Sequence, residues 1–349
     1  MFKNDKHLNV YSSIFAILAG LIFGFVIMII SNPVDALPGF ISVLTGGFSK
    51  GFNELLYYST PIILTGLSVG FAFKTGLFNI GAAGQLMVGA IVAIYVGVNW
   101  TFLPGFTHLL VSLLFAGVAG AIWGLIPGVL KAYRNVNEVV ATIMMNYIGL
   151  YFVNWMVLNV LWDQKNAQTI SVTESATVPW TFFGIPLYTG FIVALIAVAV
   201  IYIVLTKTTF GFQLKAVGFN KHASRYAGIN ERKSIIYSMI IAGALSGLAG
   251  GVIYLAGSTG RHLEPVEILA AEGFNGISVA LIGLSNPIGI LFSGLFLGYL
   301  EISGWHLQLY DFPNEIIDII ISSIIYFSAL VLLFRGILIR FSKRGVKNG

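Results

Sequence analysis

The polar groups that could do chemistry in this chain are few, and most are uncharged amides set inside apolar sequence. Asn79 and Gln85 lie six apart in GLFNIGAAGQLMVGA (76–90), among Gly76, Gly81, Gly84 and Gly89. Asn137, Asn146 and Asn275 have comparable surroundings, and Glu138 follows the first of them. An amide in lipid must satisfy two donors and an acceptor, so it either bonds a neighbouring helix or lines a polar path. The glycines near Asn79 permit local unwinding or close backbone approach. As a group, these residues suit a path for a neutral, hydrogen-bonding solute better than one for an ion. The candidate path is Asn79, Gln85, Asn137, Glu138, Asn146 and Asn275.

Other chemistries find little material. His7, His108, His222, His262 and His306 are scattered, without metal-ligand spacing. There is no cysteine, hence no thiol nucleophile and no disulfide framework. No glycine-rich phosphate loop ending in Gly-Lys-Ser/Thr exists, since Lys74-Thr75 lacks the preceding glycines. Gradient coupling calls for ionisable groups at mid-membrane depth, but Glu138 lies at the inner mouth of its span, and Glu301, Glu315 and Asp318 lie near outer ends. A membrane-embedded enzyme would need a clustered catalytic set, and none is visible.

The elements that must hold these residues are membrane spans. The 349 residues are 57% hydrophobic and only 9% charged, against roughly 25% charged for a soluble domain. Crossings of about 20 residues are expected near 11–30, 55–73, 79–98, 108–130, 138–161, 189–206, 234–258, 274–284, 288–305 and 315–334. The fold class is all-α and polytopic, a single transmembrane domain over 1–349. Lys3 and Lys6 before the apolar run 14–30 resemble a signal peptide, yet no small-x-small cleavage site follows, so a retained first span is expected. The stretch 274–284 is too short for a simple crossing, and Ser285-Asn286-Pro287 after it implies a tight turn.

With both termini cytoplasmic, 16 of the 19 basic residues fall inside, and only Lys50, Lys165 and Arg261 fall outside. That is the bias expected of cytoplasmic loops, and it explains the net charge of +5 without nucleic acid. Five spans precede the loop 207–233 and five follow it, so related halves would be inverted. The Phe-Asn pairs at 78–79 and 274–275 are a faint echo of such a repeat. Small-xxx-small pairs at Gly66/Gly70, Gly120/Gly124, Gly243/Gly247, Gly247/Gly251 and Gly294/Gly298 predict close helix packing.

Two loops stand out. Residues 162–188 are polar and rich in Ser and Thr, and are either a tether or a docking surface for an external protein. The loop 207–233 holds six basic residues and one acidic, Glu231. There Asn220 is placed to cap a short helix over 221–227, and Gly228 to end it. Such a loop either rests on anionic lipid or passes force between the membrane body and a partner.

Several stretches, in order, carry a resemblance: TGLFNIGAAGQLMVGA (75–90), NEVVATIMMNYI (137–148), TTFGFQLKAVGFNKHASRYAGI (208–229), SGLAGGV (246–252) and GFNGISVALIGLSNPIGILFSGLFLG (273–298). They resemble permease subunits of bacterial ABC importers in the branched-chain amino acid/simple-sugar superfamily, above all its nucleoside (guanosine/uridine-type) branch. The resemblance implies a multi-pass protein of the bacterial plasma membrane. Its partners would be a cytoplasmic ATPase pair, a second homologous permease and an extracellular or lipid-anchored solute-binding protein, besides membrane lipid. It implies no cofactor on this chain, with ATP–Mg on the ATPase. It also makes 208–229 the segment that docks on the ATPase, through Gly211, Lys215, Gly218, Asn220, Arg225, Tyr226 and Gly228. Two departures are Ala83, where relatives often carry an acidic residue, and Lys74, where they often carry arginine. Alternatives are a simple sugar or another small solute of the same superfamily, or a gradient-driven carrier.

Overall fold

The computed structural model describes residues 5–257, 261–313 and 315–330. Ser258 and residues 331–334 of the expected spans lie outside these residues, as do Lys3 and the five basic residues at 335–347. Thirteen α-helices are described: α1 (Asp5–Ser31), α2 (Ala36–Thr45), α3 (Phe52–Lys74), α4 (Ala82–Asn99), α5 (Gly105–Arg134), α6 (Glu138–Val160), α7 (Gly190–Lys207), α8 (Thr209–Phe219), α9 (Lys221–Tyr226), α10 (Glu231–Tyr254), α11 (Ala271–Ile282), α12 (Pro287–Leu307) and α13 (Glu315–Ala329). Eight of them are long and apolar enough to cross a membrane by length and composition: α1, α3, α4, α5, α6, α7, α10 and α12. The chain is a polytopic, mostly helical membrane protein.

Local sequence sets many of the helix starts. Side-chain oxygens of Asn137, Thr208, Asn220, Asn230 and Asn286 each accept from a backbone N–H in the first turn of α6, α8, α9, α10 and α12. Such caps answer the orphan donors at a helix start. Pro287 at the head of α12 has no N–H to leave unpaired.

Three stretches differ from a plain span-and-loop reading. The linker 31–54 contains α2 and a 3-10 turn, Gly46–Phe48. Residues 76–81 are not helical, so α4 begins inside the bundle. The polar segment 162–188 is ordered: a two-residue strand pair, β1 (Trp162–Asp163) with β2 (Gln168–Thr169), is followed by a 3-10 turn, Glu174–Ala176. Buried His108 fastens that turn, with Nδ1 2.8 Å from Ser175 Oγ and Nε2 3.0 Å from Val96 O. Trp180 Nε1 donates to Ala256 O at 2.9 Å, and Tyr188 OH donates to Val252 O at 2.6 Å.

The core is built around α10, which is wedged between α5 and α4. Gly120 and Gly124 of α5 face Gly243 and Gly247, while Gly89 of α4 faces Gly247 from the other side. A Cβ on Gly120, Gly243 or Gly247 would strike the backbone of the facing helix. Apolar surface gains nothing by leaving lipid, so backbone-close packing of this kind holds the helices together. Among α3, α11 and α12, Gly66, Gly70, Gly294 and Gly298 instead make room for side chains of the facing helix: Val279, Ile290, Ile63 and Ser59.

The helices share two ends. Lys74, Lys131, Arg134 and the 207–233 segment lie at one, which we term the basic end. Thr75 Oγ1 donates there to Ser238 Oγ at 2.9 Å, and the Arg232 guanidinium sits 5.4 Å from the Tyr133 ring centroid. The 161–189 segment covers the other end. α1 and α13 pack antiparallel, with Gly20 against Ile324 and Gly24 against Ile320. The described parts of both chain ends therefore run toward the basic end.

Replacing Gly247 with valine forces a branched side chain between two backbones. We expect a loss of about 3 kcal/mol, the upper end of the usual overpacking cost, read as a lower unfolding midpoint in detergent. Leu114→Ala, on an exposed face of α5, should leave that midpoint nearly unchanged.

Candidate functional site

Two polar clusters sit within the bundle, and they differ in access. The first surrounds the start of α4. α4 runs beside α10 with Gly89 at Gly247 and Gly97 at Leu255. This register puts Ala82 level with Ile240, about 13 Å in from the start of α10 at about 1.5 Å per residue. The chain reaches that depth through 76–81, turning at Gly76, whose φ is 74° and which lies against Gly218 of α8.

A helix starting so deep has N–H groups that water cannot reach. Asn146 of α6 accepts from Gly84 N at 2.8 Å and donates to Ile80 O at 3.0 Å. Asn79 Nδ2 donates to Gln85 Oε1 at 2.9 Å, and Gln85 Nε2 donates back to Asn79 Oδ1 at 3.2 Å. Ser68 Oγ accepts from Asn79 at 3.1 Å. Asn79, Gln85 and Asn146 are all buried. Their hydrogen bonds go to one another and to backbone, so in this conformation they form a dry knot and face no open channel.

The second cluster lies around the start of α11. Its polar groups come from three helices and the extended segment 261–270. Arg261 forms an ion pair with Glu272, and its guanidinium lies 5.5 Å from the Tyr58 ring centroid. Thr65 Oγ1, midway along α3, donates to Glu272 O at 2.8 Å. One turn on, Asn275 Nδ2 donates to Glu301 Oε1 of α12 at 2.8 Å. Tyr58 and Glu301 each lie about 9 Å inside the end of their helix, on the standard helical rise. The side chain of Arg261 is 44% exposed, against 9% for Glu272, and Tyr58, Asn275 and Glu301 are half-buried. Unlike the amide knot, this cluster presents polar atoms to open space.

Arg261 remains a cation there. Its guanidinium is paired with the Glu272 carboxylate. The planar fork is fixed between a carboxylate and an aromatic face, which is pre-organised geometry for binding.

The two helix starts meet. Gly273 of α11 lies so close to Ala83 of α4 that a Cβ there would strike the Ala83 backbone. From this contact α4 runs toward the 161–189 end, and α11 runs toward the basic end. An acidic side chain in place of Ala83 would occupy this contact, so its absence here accompanies a tight fit.

The remaining expected path residues lie elsewhere. Asn137 is exposed and caps α6 through Val139 N at 2.9 Å. Glu138 pairs with Lys131 at 2.8 Å at the basic end. The amides thus divide into a knot (Asn79, Gln85, Asn146), a helix start (Asn137, Glu138) and the half-open cluster (Asn275). Arg261, Tyr58, Glu272 and Glu301 escaped the sequence reading. Arg261 counted there only as an outer charge, and Glu301 as a residue near a span end. The usable signal was Glu301 inside an apolar stretch, with Arg261 and Glu272 flanking a segment too short to cross. An open concavity of about 480 Å³ between α1 and α13, lined by Phe23, Glu315, Asp318 and Tyr326 among others, shares no residue with either cluster.

At the basic end, α8 and α9 form an exposed corner. Gly211 packs on the Val204 and Leu205 backbone, and Gly218 on the backbone around Lys74 and Gly76. Asn220 Oδ1 accepts from Ala223 N at 3.0 Å, and Gly228 turns the chain with φ 80°. Phe219 and Tyr226 are 91% and 96% exposed, and Arg225 is also exposed. Lys215 lies on α8 nearby, half-buried.

Residues 51–339 match the family described as the branched-chain amino acid transport system, permease component. The chain belongs to this family. It is a membrane-embedded transport subunit and not an enzyme. The chain is 40% identical to the guanosine ABC transporter permease NupP of Bacillus subtilis, over 99% of both proteins. It is 37% identical to the nucleoside ABC transporter permease NupB of Lactococcus lactis, over 94% of this chain and 92% of that one. A glucose ABC transporter permease, TsgB13 of Haloferax volcanii, is 32% identical over 92% of this chain and 85% of its own length. No solved structure matches the permease.

Removing Asn146 orphans a buried N–H and a buried carbonyl. Asn146→Ala should therefore lower stability by about 1–3 kcal/mol, seen as an earlier unfolding transition. Asn79→Ala, which strands Gln85, should do likewise. An unchanged midpoint for Asn79→Ala with slowed uptake would instead make that amide part of the path.

Proposed function

We propose that this chain is one permease subunit of an ATP-binding cassette importer that carries nucleosides into the cell. The observation that carries the reading is full-length similarity to the guanosine permease, without large insertions on either side. A half-open site of one cation, two carboxyls (Glu272 paired with the cation, and Glu301), an amide and an aromatic face suits a neutral solute with hydroxyls and base edges. The glucose relative supports a second reading, a simple sugar.

In this proposal the basic end faces the cytoplasm, because Lys and Arg cluster there. Ten crossings then follow if α11 with its extended lead counts as one and α13 as another. The two five-span halves are inverted, α4 and α11 being the corresponding broken helices that enter from opposite faces. The solute-binding protein delivers solute to the 161–189 face. The path runs by Arg261, Tyr58, Asn275 and Glu301 and past the α4 start, where Asn79, Gln85 and Asn146 act by holding the broken helix. Asn137 and Glu138 sit at the inner mouth.

A second homologous permease completes the pathway, and a cytoplasmic ATPase pair holds ATP–Mg. Gly211, Lys215, Gly218, Asn220, Arg225, Tyr226 and Gly228 belong to the coupling corner. Its contact at Gly218–Gly76 links ATPase motion to the segment leading into α4. ATP hydrolysis biases two states of the bundle through that link.

The assembled complex should take up guanosine with ATP, and glucose far more slowly; the reverse order selects the sugar reading. Replacing Arg225 and Tyr226 together should abolish solute-stimulated ATP hydrolysis while the protein still inserts. Wild-type stimulation would remove the corner from the mechanism. Because the chain lacks cysteine, a single His222→Cys variant reports sidedness. An impermeant maleimide should label it in inside-out vesicles and spare it in right-side-out ones.

A further inference from the structure

The nucleoside reading leaves open how the solute is recognised within the membrane, and the Arg261 cluster has the chemistry for it. Glu301 uses one carboxyl oxygen to accept from Asn275 at 2.8 Å. Among the described residues its second oxygen has no hydrogen-bond partner, and it is not enclosed without one. Glu301 lies within electrostatic reach of Arg261 and Glu272. Arg261 engages Glu272 through Nη1 and lies against Tyr58, on a side chain 44% exposed whose fork carries further N–H donors. One side of the cluster thus presents a carboxyl oxygen and the other N–H donors. The Arg261–Glu272 pair cancels its own charge, so the donor side attracts no net anion.

A nucleoside has the opposite order of groups. Its vicinal hydroxyls donate, and its base edge accepts. A carboxyl is the group that reads a ribose 2′-hydroxyl in dinucleotide sites, and Arg reads the O6/N7 acceptors of guanine as a bidentate pair. We propose that Glu301, braced by Asn275, accepts the ribose hydroxyls of the passing solute, while Arg261, held beside the Tyr58 ring, donates to acceptors on the base. Resting on the nucleoside reading, this makes Glu301 a specificity-determining residue and Asn275 its positioning residue. It predicts that the permease itself, separately from the binding protein, distinguishes ribo- from 2′-deoxynucleosides.

The test uses the complete importer in proteoliposomes with its binding protein and ATP, and measures initial uptake of guanosine and 2′-deoxyguanosine. In Glu301→Gln, which keeps the size and the Asn275 bond, guanosine uptake should fall about tenfold and 2′-deoxyguanosine uptake by less than about twofold. The ribo-to-deoxy ratio should then collapse relative to wild type. Asn275→Ala should move the ratio in the same direction by a smaller factor, and it decides the matter if Glu301→Gln fails to assemble. Equal loss of both solutes, or an unchanged ratio in the assembled variants, overturns the inference. A wild-type complex that takes up neither nucleoside overturns the function reading instead.

Discussion

A helix that begins inside an apolar bundle has backbone N–H groups with no water to receive them. Several other helices begin near an end of the bundle under a local Asn or Thr cap. α4 and α11 do not. Gly81 and Ala270, at their N-cap positions, offer no side-chain cap, so the supporting groups come from elsewhere. Asn146 of α6 accepts from Gly84 N in the first turn of α4, whereas Thr65 of α3 anchors the first turn of α11 by donating to the Glu272 carbonyl. Satisfying the start of α4 and anchoring the start of α11 draw in polar residues from α6 and α3.

The glycines serve the same arrangement at a different level. Close contacts at α5–α10–α4 form a stiff slab, and Gly273 brings α11 against Ala83. Packing of this density leaves no slack for side chains between backbones. Movement is then easier along the segments without helix, 76–81 and 261–270, than within the slab. The first contacts the exposed corner of α8 and α9 through Gly76 and Gly218. The second carries Arg261. The two non-helical segments therefore join the basic end and the polar cluster to the meeting point of α4 and α11, a mechanical layout suited to transport powered from outside the chain.

Much of this was readable from residues alone. The apolar runs, the asymmetry of Lys and Arg, the Asn220 cap and the small-xxx-small pairs are local or compositional signals, and each has a local cause. The reading of the amides was less complete. Asn79 and Gln85 lie close enough in sequence to suggest a pair, yet the bond from Asn146 to Gly84 spans 62 positions. A local pattern cannot register such a contact. Arg261 and Glu301 went unmarked as site residues for the same reason, since a span end located by hydropathy does not tell which helices shield it.

The sequence by itself determined the class of protein, the approximate limits of its helices and the corner at 207–233, because burial in lipid and capping act on neighbouring residues. Only the tertiary structure decided which polar groups stay dry and which face open space. That distinction depends on helices far apart in the chain, whose mutual approach is set by glycine contacts and by the bonds that complete two interrupted helices.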